Sequence, residues 1–418
     1  MRLFDPLYGE IQLPSWLVEI AQSPEVQRLR EIRLINTSTK SMPALSDAKR
    51  YTHTMGVVHL ALENGSKLRQ RYGDSSFRTI AVAGLLHDIG TAPFGHLFEY
   101  LLKQEHGWTH TGALAETLAG AHHDLGKESQ MFAGLRPQLA SLLKGAGIDT
   151  GALIDAVTGK GPLSEPISAR LDFDNIDNVF RMAQALGVRF DRDEPIRIAA
   201  AYSDYLCSRN PAGLIASVEA WQATRSAVYN MLAFDPSTVG SQAILSEALR
   251  VALGEGVLDK NSWILSDEQL VSTLLSHKST YELTRRFQRG ADPHLLGFLW
   301  FDESRPEPDI RERQLATELN QVISLDVGFP VLAYTFIDKS SFGRAIEIDG
   351  PNGEKHSIGS STQSTVVGLF SLRGSSPSNR SKGRAANAAL DALEEFGLCR
   401  SNIREHHGAK SLFDGQVV

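Results

Sequence analysis

At roughly 150 residues per domain, a chain of 418 residues suits two or three domains. Its 42% hydrophobic and 22% charged residues fit a soluble globular protein and exclude wholesale disorder. Forty-two Lys and Arg against 49 Asp and Glu leave a net charge of −7, which argues against a general nucleic-acid or membrane binder while leaving room for a local basic pocket.

The first half reads as helical. Ser23-Pro24-Glu25 opens a segment expected to stay helical to about Leu34, with Pro24 suited to a first turn. His53 to about Arg71 is dense enough in apolar residues for a buried helix. Phe77 to Asp88 is another, apolar until His87-Asp88 closes it, with Gly90 and Pro93 as stop signals. Leu171 to Leu186 is a third, ended by Gly187. Further helices are expected near 211–233, 241–253, 267–289 and 310–323. From about Gly328 the pattern changes. Phe329–Asp338, Arg344–Asp349 and Thr365–Leu372 read as strands, Gly350 to Gly353 as a turn and Arg384–Phe396 as a helix. The expected architecture is mainly α, with units at 1–235 and 236–328 and a small α+β C-terminal lobe at 329–418.

Two cysteines, Cys207 and Cys399, make neither a disulfide framework nor a zinc ribbon, and Met1 to Pro6 leads into no apolar signal segment. A cytoplasmic protein is expected. Histidine is less evenly spread: eight of 13 (His53, His59, His87, His96, His106, His110, His122 and His123) fall within 71 residues. Histidine titrates near neutral pH and is a favoured metal ligand, which directs attention to the first half.

His87-Asp88 ends an apolar helix, where an imidazole and a carboxylate are costly unless something compensates them. With His53 and Asp174 they make a mixed nitrogen and oxygen set suited to a divalent ion such as manganese, magnesium, iron, cobalt or zinc. Such a site activates water and polarises a phosphoryl oxygen. His96 and His110 are candidates for acid–base work, with Glu99 placed to orient an imidazole.

The segments 5–11, 27–30, 50–57, 83–90 and 93–99, followed by Trp108-Thr109-His110, resemble in order the HD-domain deoxynucleoside triphosphate triphosphohydrolases. The resemblance covers about residues 4 to 185. It implies a helical HD core, His53, His87, Asp88 and Asp174 as metal ligands, and His96, Glu99 and His110 around the reacting phosphate. It further implies Arg50 as a phosphate contact, a nucleotide substrate, products nucleoside and inorganic triphosphate, a nucleotide effector and a homo-oligomer. Tyr229 faintly matches an aromatic residue near the nucleotide.

Several positions depart from the family pattern. Thr91 stands where the family has a further histidine, and Thr111 where it is often acidic. Asn175, Asn178 and Met182 replace a lysine, a tyrosine and an aspartate that hold phosphate and sugar, and Leu34 replaces a glutamine. Asp174, Asn178 and Arg181 share a helical stripe, so Asn178 and Arg181 are expected to face the substrate. Metal-assisted phosphate-ester hydrolysis is therefore the firm expectation. The rivals are an HD phosphohydrolase for monophosphates, cyclic nucleotides or oligonucleotides, and a nucleotide sensor with a weak site. Lys382, Arg384, Arg400, Arg404 and Lys410 make the tail locally basic, which suits an anionic effector.

Overall fold

The computed structural model describes all residues except 121–138, 234, 291–292, 302–311, 339–343, 351–353, 360–363, 374–375 and 399–418. His122, His123, Cys399, Arg400, Arg404, Lys410 and the turn residues 351–353 lie outside the described residues. The architecture is mainly α with small antiparallel sheets, as the residue pattern implies. No helix among the described residues is long and apolar enough to cross a membrane.

The core of the first half is built on the helix Asp74–Leu86, whose residues from Thr79 to Leu86 are all buried. A helix buried all round has neighbours on every side. The helices Arg50–Glu63, Gly65–Tyr72 and Thr150–Val157 are among them, and Phe173–Leu186 packs in turn on Arg50–Glu63. Leu85, Val57 and Ile176 are each sealed from solvent in the same core. Asp172 caps the Phe173–Leu186 helix by accepting the Asn175 N–H at 2.7 Å, and Gly187 ends it in the left-handed region at φ 72°.

Two expected long helices are each broken in two. The His53 helix runs from Arg50 to Glu63, and a second helix, Gly65–Tyr72, starts after Asn64. Phe77 packs so close to Gly65 that a Cβ there would meet its ring at 3.1 Å. The 267–289 segment splits at His277, which is extended. The Thr280 hydroxyl donates to the carbonyls of Leu274 and His277, giving the backbone a partner other than the helix ladder. The segment from Pro24 is shorter than expected, one α-turn to Gln27 and then a 3₁₀ turn, Arg28–Glu31.

The C-terminal sheet has three antiparallel strands in the order His294–Phe301, Ser364–Ser371, Val331–Asp338. The first is a strand that the sequence reading leaves out, although seven apolar residues, Leu295 to Phe301, follow His294 there. One sheet face sets Leu332 and Phe370 against Val239 and Ala243 of the helix Pro236–Gly254. The other packs Val367 and Leu369 on the helices Glu312–Val327 and Asn379–Glu395. Covered on both sides, the central strand is buried at all eight positions. The Arg384 guanidinium pairs at the surface with Asp326 at 3.2 Å.

Candidate active site

The donor atoms of His53, His87, Asp88 and Asp174 converge on one point. His53 Nε2 lies 3.3 Å from His87 Nε2, 3.0 Å from Asp174 Oδ1 and 4.0 Å from Asp88 Oδ2. His87 Nε2 is 3.5 Å from Asp88 Oδ2 and 3.7 Å from Asp174 Oδ1. Ligand atoms each about 2.1 Å from a shared ion stand roughly 3–4 Å apart, so His53, His87 and Asp88 could hold a divalent metal, with Asp174 beside both imidazoles. The tautomers fit as well. His87 Nδ1–H donates to the Gly84 carbonyl at 2.9 Å and His53 Nδ1–H to Asp177 Oδ1 at 2.6 Å, which leaves both Nε2 lone pairs facing the cluster.

The electrostatics point the same way. Burial works against charging His53, but hydrogen bonds from its ring to Asp174 and Asp177 outweigh that and push its pKa up to about 9. Burial would raise Asp88, yet the Arg50 guanidinium at 2.8 Å, then His87 and His53, hold it well below the usual carboxylate range. Thr91 donates its hydroxyl to Asp88 Oδ1 at 2.9 Å, so the residue at this departure from the family pattern serves to orient Asp88.

Glu99 joins His96 and His110. Its Oε2 accepts His96 Nδ1–H at 2.8 Å, and its Oε1 accepts His110 Nδ1–H at 2.6 Å. Burial opposes the charge on Glu99, but the two imidazole hydrogen bonds lower its pKa far below the ordinary value. Against burial, Glu99 raises the pKa of His110. Gly90 makes this packing feasible, because a Cβ there would collide with the His110 carbonyl oxygen. The turn before His96 is strained: Phe94 and Gly95 have φ of 54° and 55°. It is held by Asp267, whose Oδ1 accepts the Phe94 N–H at 2.8 Å while Oδ2 accepts the Arg33 N–H at 2.8 Å.

The four donors, Arg50, His96 and His110 line one cavity of about 490 Å³, together with Asn178, Tyr229, Leu34, Ile35 and Met182. Arg181 is not there. It is buried behind His53, with Nε and Nη2 on the two oxygens of Asp177 at 2.9 Å each and Nη1 on Asp5 at 2.9 Å. Helix rotation leaves Arg181 only about 20° from Asp174, so the expectation fails because its guanidinium turns to the buried carboxylates of Asp177 and Asp5. Asp5, Asp177 and Asp267 are given no role by the sequence reading, and Thr91 enters it only as a departure from the family pattern. Asp177 and Arg181, four apart, carry the one local signal that could have found them. Asn175, at the position of the family lysine, accepts from Arg344 Nη1 at 2.5 Å. His59 is buried, 4.9 Å from the Tyr8 ring and outside the cavity.

Residues 50–154 match the model of the HD domain. Over 126 residues the chain is 36% identical to the deoxynucleoside triphosphate triphosphohydrolase SAMHD1 of Gallus gallus, covering 28% of this chain and 20% of that one. The human protein of that name is 34% identical over 115 residues, 25% of this chain and 18% of its own. The chain thus spans about a fifth of the length of these relatives. An uncharacterized Bacillus subtilis protein, YwfO, is 26% identical over 256 residues, 59% of this chain and 55% of that one. The fold is similar to that of a phosphohydrolase from Bacteroides thetaiotaomicron, at TM-score 0.62 and 18% identity, over 89% of this chain and 100% of the other. Residues 50–154, with the His53, His87 and Asp88 cluster among them, are thus similar to an HD domain.

Proposed function

We propose that this protein is a metal-dependent phosphohydrolase that cleaves nucleotide esters, deoxynucleoside triphosphates foremost, to nucleoside and inorganic triphosphate. The observation that carries the reading is a single cavity lined by the His53, His87, Asp88 and Asp174 donors and by both His96 and His110. A divalent ion held by those donors supplies Lewis-acid polarisation of a phosphoryl oxygen and acidifies water. Arg50 orients Asp88 and presents its guanidinium to the cavity. Water adds to the α-phosphorus and its proton passes to solvent. The bond from phosphorus to the sugar 5′-oxygen breaks, its electron pair stays on that oxygen, and the oxygen takes a proton from the His96–Glu99–His110 unit. The His110 imidazolium favoured by Glu99 suits that donor role.

One observation favours a less charged substrate as the second reading. Among the described residues lining the cavity, Arg50 is the sole Lys or Arg, and it is already paired with Asp88. Monophosphates, cyclic nucleotides or short oligonucleotides need less neutralisation than a triphosphate. Incubation with Mn²⁺ or Mg²⁺ and a panel of phosphate esters, resolved by ion-pair chromatography, separates the cases. Triphosphate release supports the first reading, orthophosphate or an opened cyclic ester the second, and tight binding without turnover a nucleotide sensor. Homo-oligomerisation and a nucleotide effector belong to the same reading, and light scattering with and without nucleotides tests them.

A further inference from the structure

Beyond His96 lies a second cavity of about 250 Å³, which shares Asn36, His96 and Tyr334 with the first. Its far wall comes from the C-terminal half of the chain, through Thr317 and Asn320 on the helix Glu312–Val327 and Thr335 beside Tyr334 on the strand Val331–Asp338. Its charges cancel, because Arg250 grips both oxygens of Glu247 at 2.8 and 2.5 Å. Asn320 Oδ1 accepts the Ala333 N–H at 2.5 Å, which leaves its amide NH₂ as a donor. Two tyrosines, Tyr100 and Tyr334, add aromatic surface. A charge-balanced space lined by amide, hydroxyl and aromatic groups suits an uncharged heterocycle and does not suit phosphate.

Position adds to chemistry. In an in-line displacement the departing oxygen leaves on the side away from the attacking water, towards the group that protonates it. That group is the His96–Glu99–His110 unit, and the space past His96 is this second cavity. We propose that the second cavity binds the base of the departing nucleoside, and that the helix Glu312–Val327 and the strand Val331–Asp338 set base selectivity. The inference rests on the phosphohydrolase reading above and adds the element that chooses the substrate. The bond changes are those already given: the phosphorus–oxygen ester bond breaks and the nucleoside leaves as a neutral alcohol.

The test separates the pocket from the chemistry. Deoxyadenosine, deoxyguanosine, deoxycytidine and thymidine, which are uncharged and carry no phosphate, are titrated by calorimetry into the Mn²⁺-loaded full chain. At least one is expected to bind. Ala316→Phe and Thr317→Trp fill the cavity from the same helix, and Thr317 is exposed, so tryptophan there does not enter the core. Each filling, with folding verified by circular dichroism, is expected to weaken nucleoside binding by about tenfold or more. Each should also reorder the four deoxynucleoside triphosphates in kcat/KM, while hydrolysis of deoxyribose 5′-triphosphate, which has no base, continues. Absence of nucleoside binding to the wild type, or binding that both fillings leave intact, overturns the pocket. Nucleoside binding that the fillings abolish, with no hydrolysis of any phosphate ester, supports the pocket and removes the hydrolase reading.

Discussion

Asp177 Oδ1 stands 2.6 Å from His53 Nδ1, on the side of the ring opposite the metal-facing Nε2. Asp177 is itself gripped by Arg181, and Arg181 by Asp5, so a buried chain of alternating charge runs from Asp5 to the cluster. Burial opposes the charge on Asp177, but Arg181 first and then His53 lower its pKa to about 2. Asp177→Asn is expected to lower metal affinity about 10–100-fold, the usual effect of removing a partner that orients a ligating imidazole. Competition with a chelator measures this, and unchanged affinity would assign Asp177 to packing alone.

Asp174→Ala and His87→Ala are expected to lose metal and turnover together. Each contributes one of four converging donors, with no spare among the described residues of the cluster. Elemental analysis of the purified variants gives the answer. Stoichiometric metal in Asp174→Ala would mean that the ion sits elsewhere.

His110→Ala should keep its metal and lose a factor of about 10²–10⁴ in turnover. The imidazole lines the cavity but is not one of the four donors. Near-normal rates, measured at saturating substrate, would leave it a packing residue.

Glu99→Gln should shift the pH profile towards acid. Glu99 holds the pKa of His110 above 6.5, so a rate that needs the imidazolium falls as pH rises through that raised value. Without the carboxylate the fall begins at lower pH. Stability follows the same signs. The raised His110 contributes stability that is present below 6.5 and lost as pH rises through its folded pKa, whereas the lowered Glu99 contributes stability present above 4.5 and lost as pH falls. Across pH 4–9 the rate profile of the variant should therefore move to lower pH, and its thermal melts should depend less on pH.

Gly56→Ala should unfold or empty the site. A Cβ at Gly56 would occupy the place of the Asp177 carboxylate and press on Arg181. Breaking a buried ion pair costs about 3–5 kcal/mol. A large drop in melting temperature with loss of metal is expected, and a normal melt would show that the His53 helix and its neighbour can part without cost.

The His53, His87-Asp88 and Asp174 set and the His96, Glu99 and His110 unit were legible from residue type together with the resemblance of their motifs to a known family, and the structure brings the atoms of each together. The helix end at Gly187 was legible too, since it acts within one turn. Strand His294–Phe301 was not, because an apolar run without alternation reads equally as buried helix or strand until its partner Ser364–Ser371 is known. Whether Arg181 meets substrate or Asp177 depends on which helix face meets the His53 helix. Tyr334 reaches the cavity only because the C-terminal sheet docks on the helix Pro236–Gly254. Residue type and short spacing therefore determined the chemistry this chain can hold. The facing of helices and the docking of distant segments decided where substrate meets it, because those are long-range packing outcomes that no local spacing encodes.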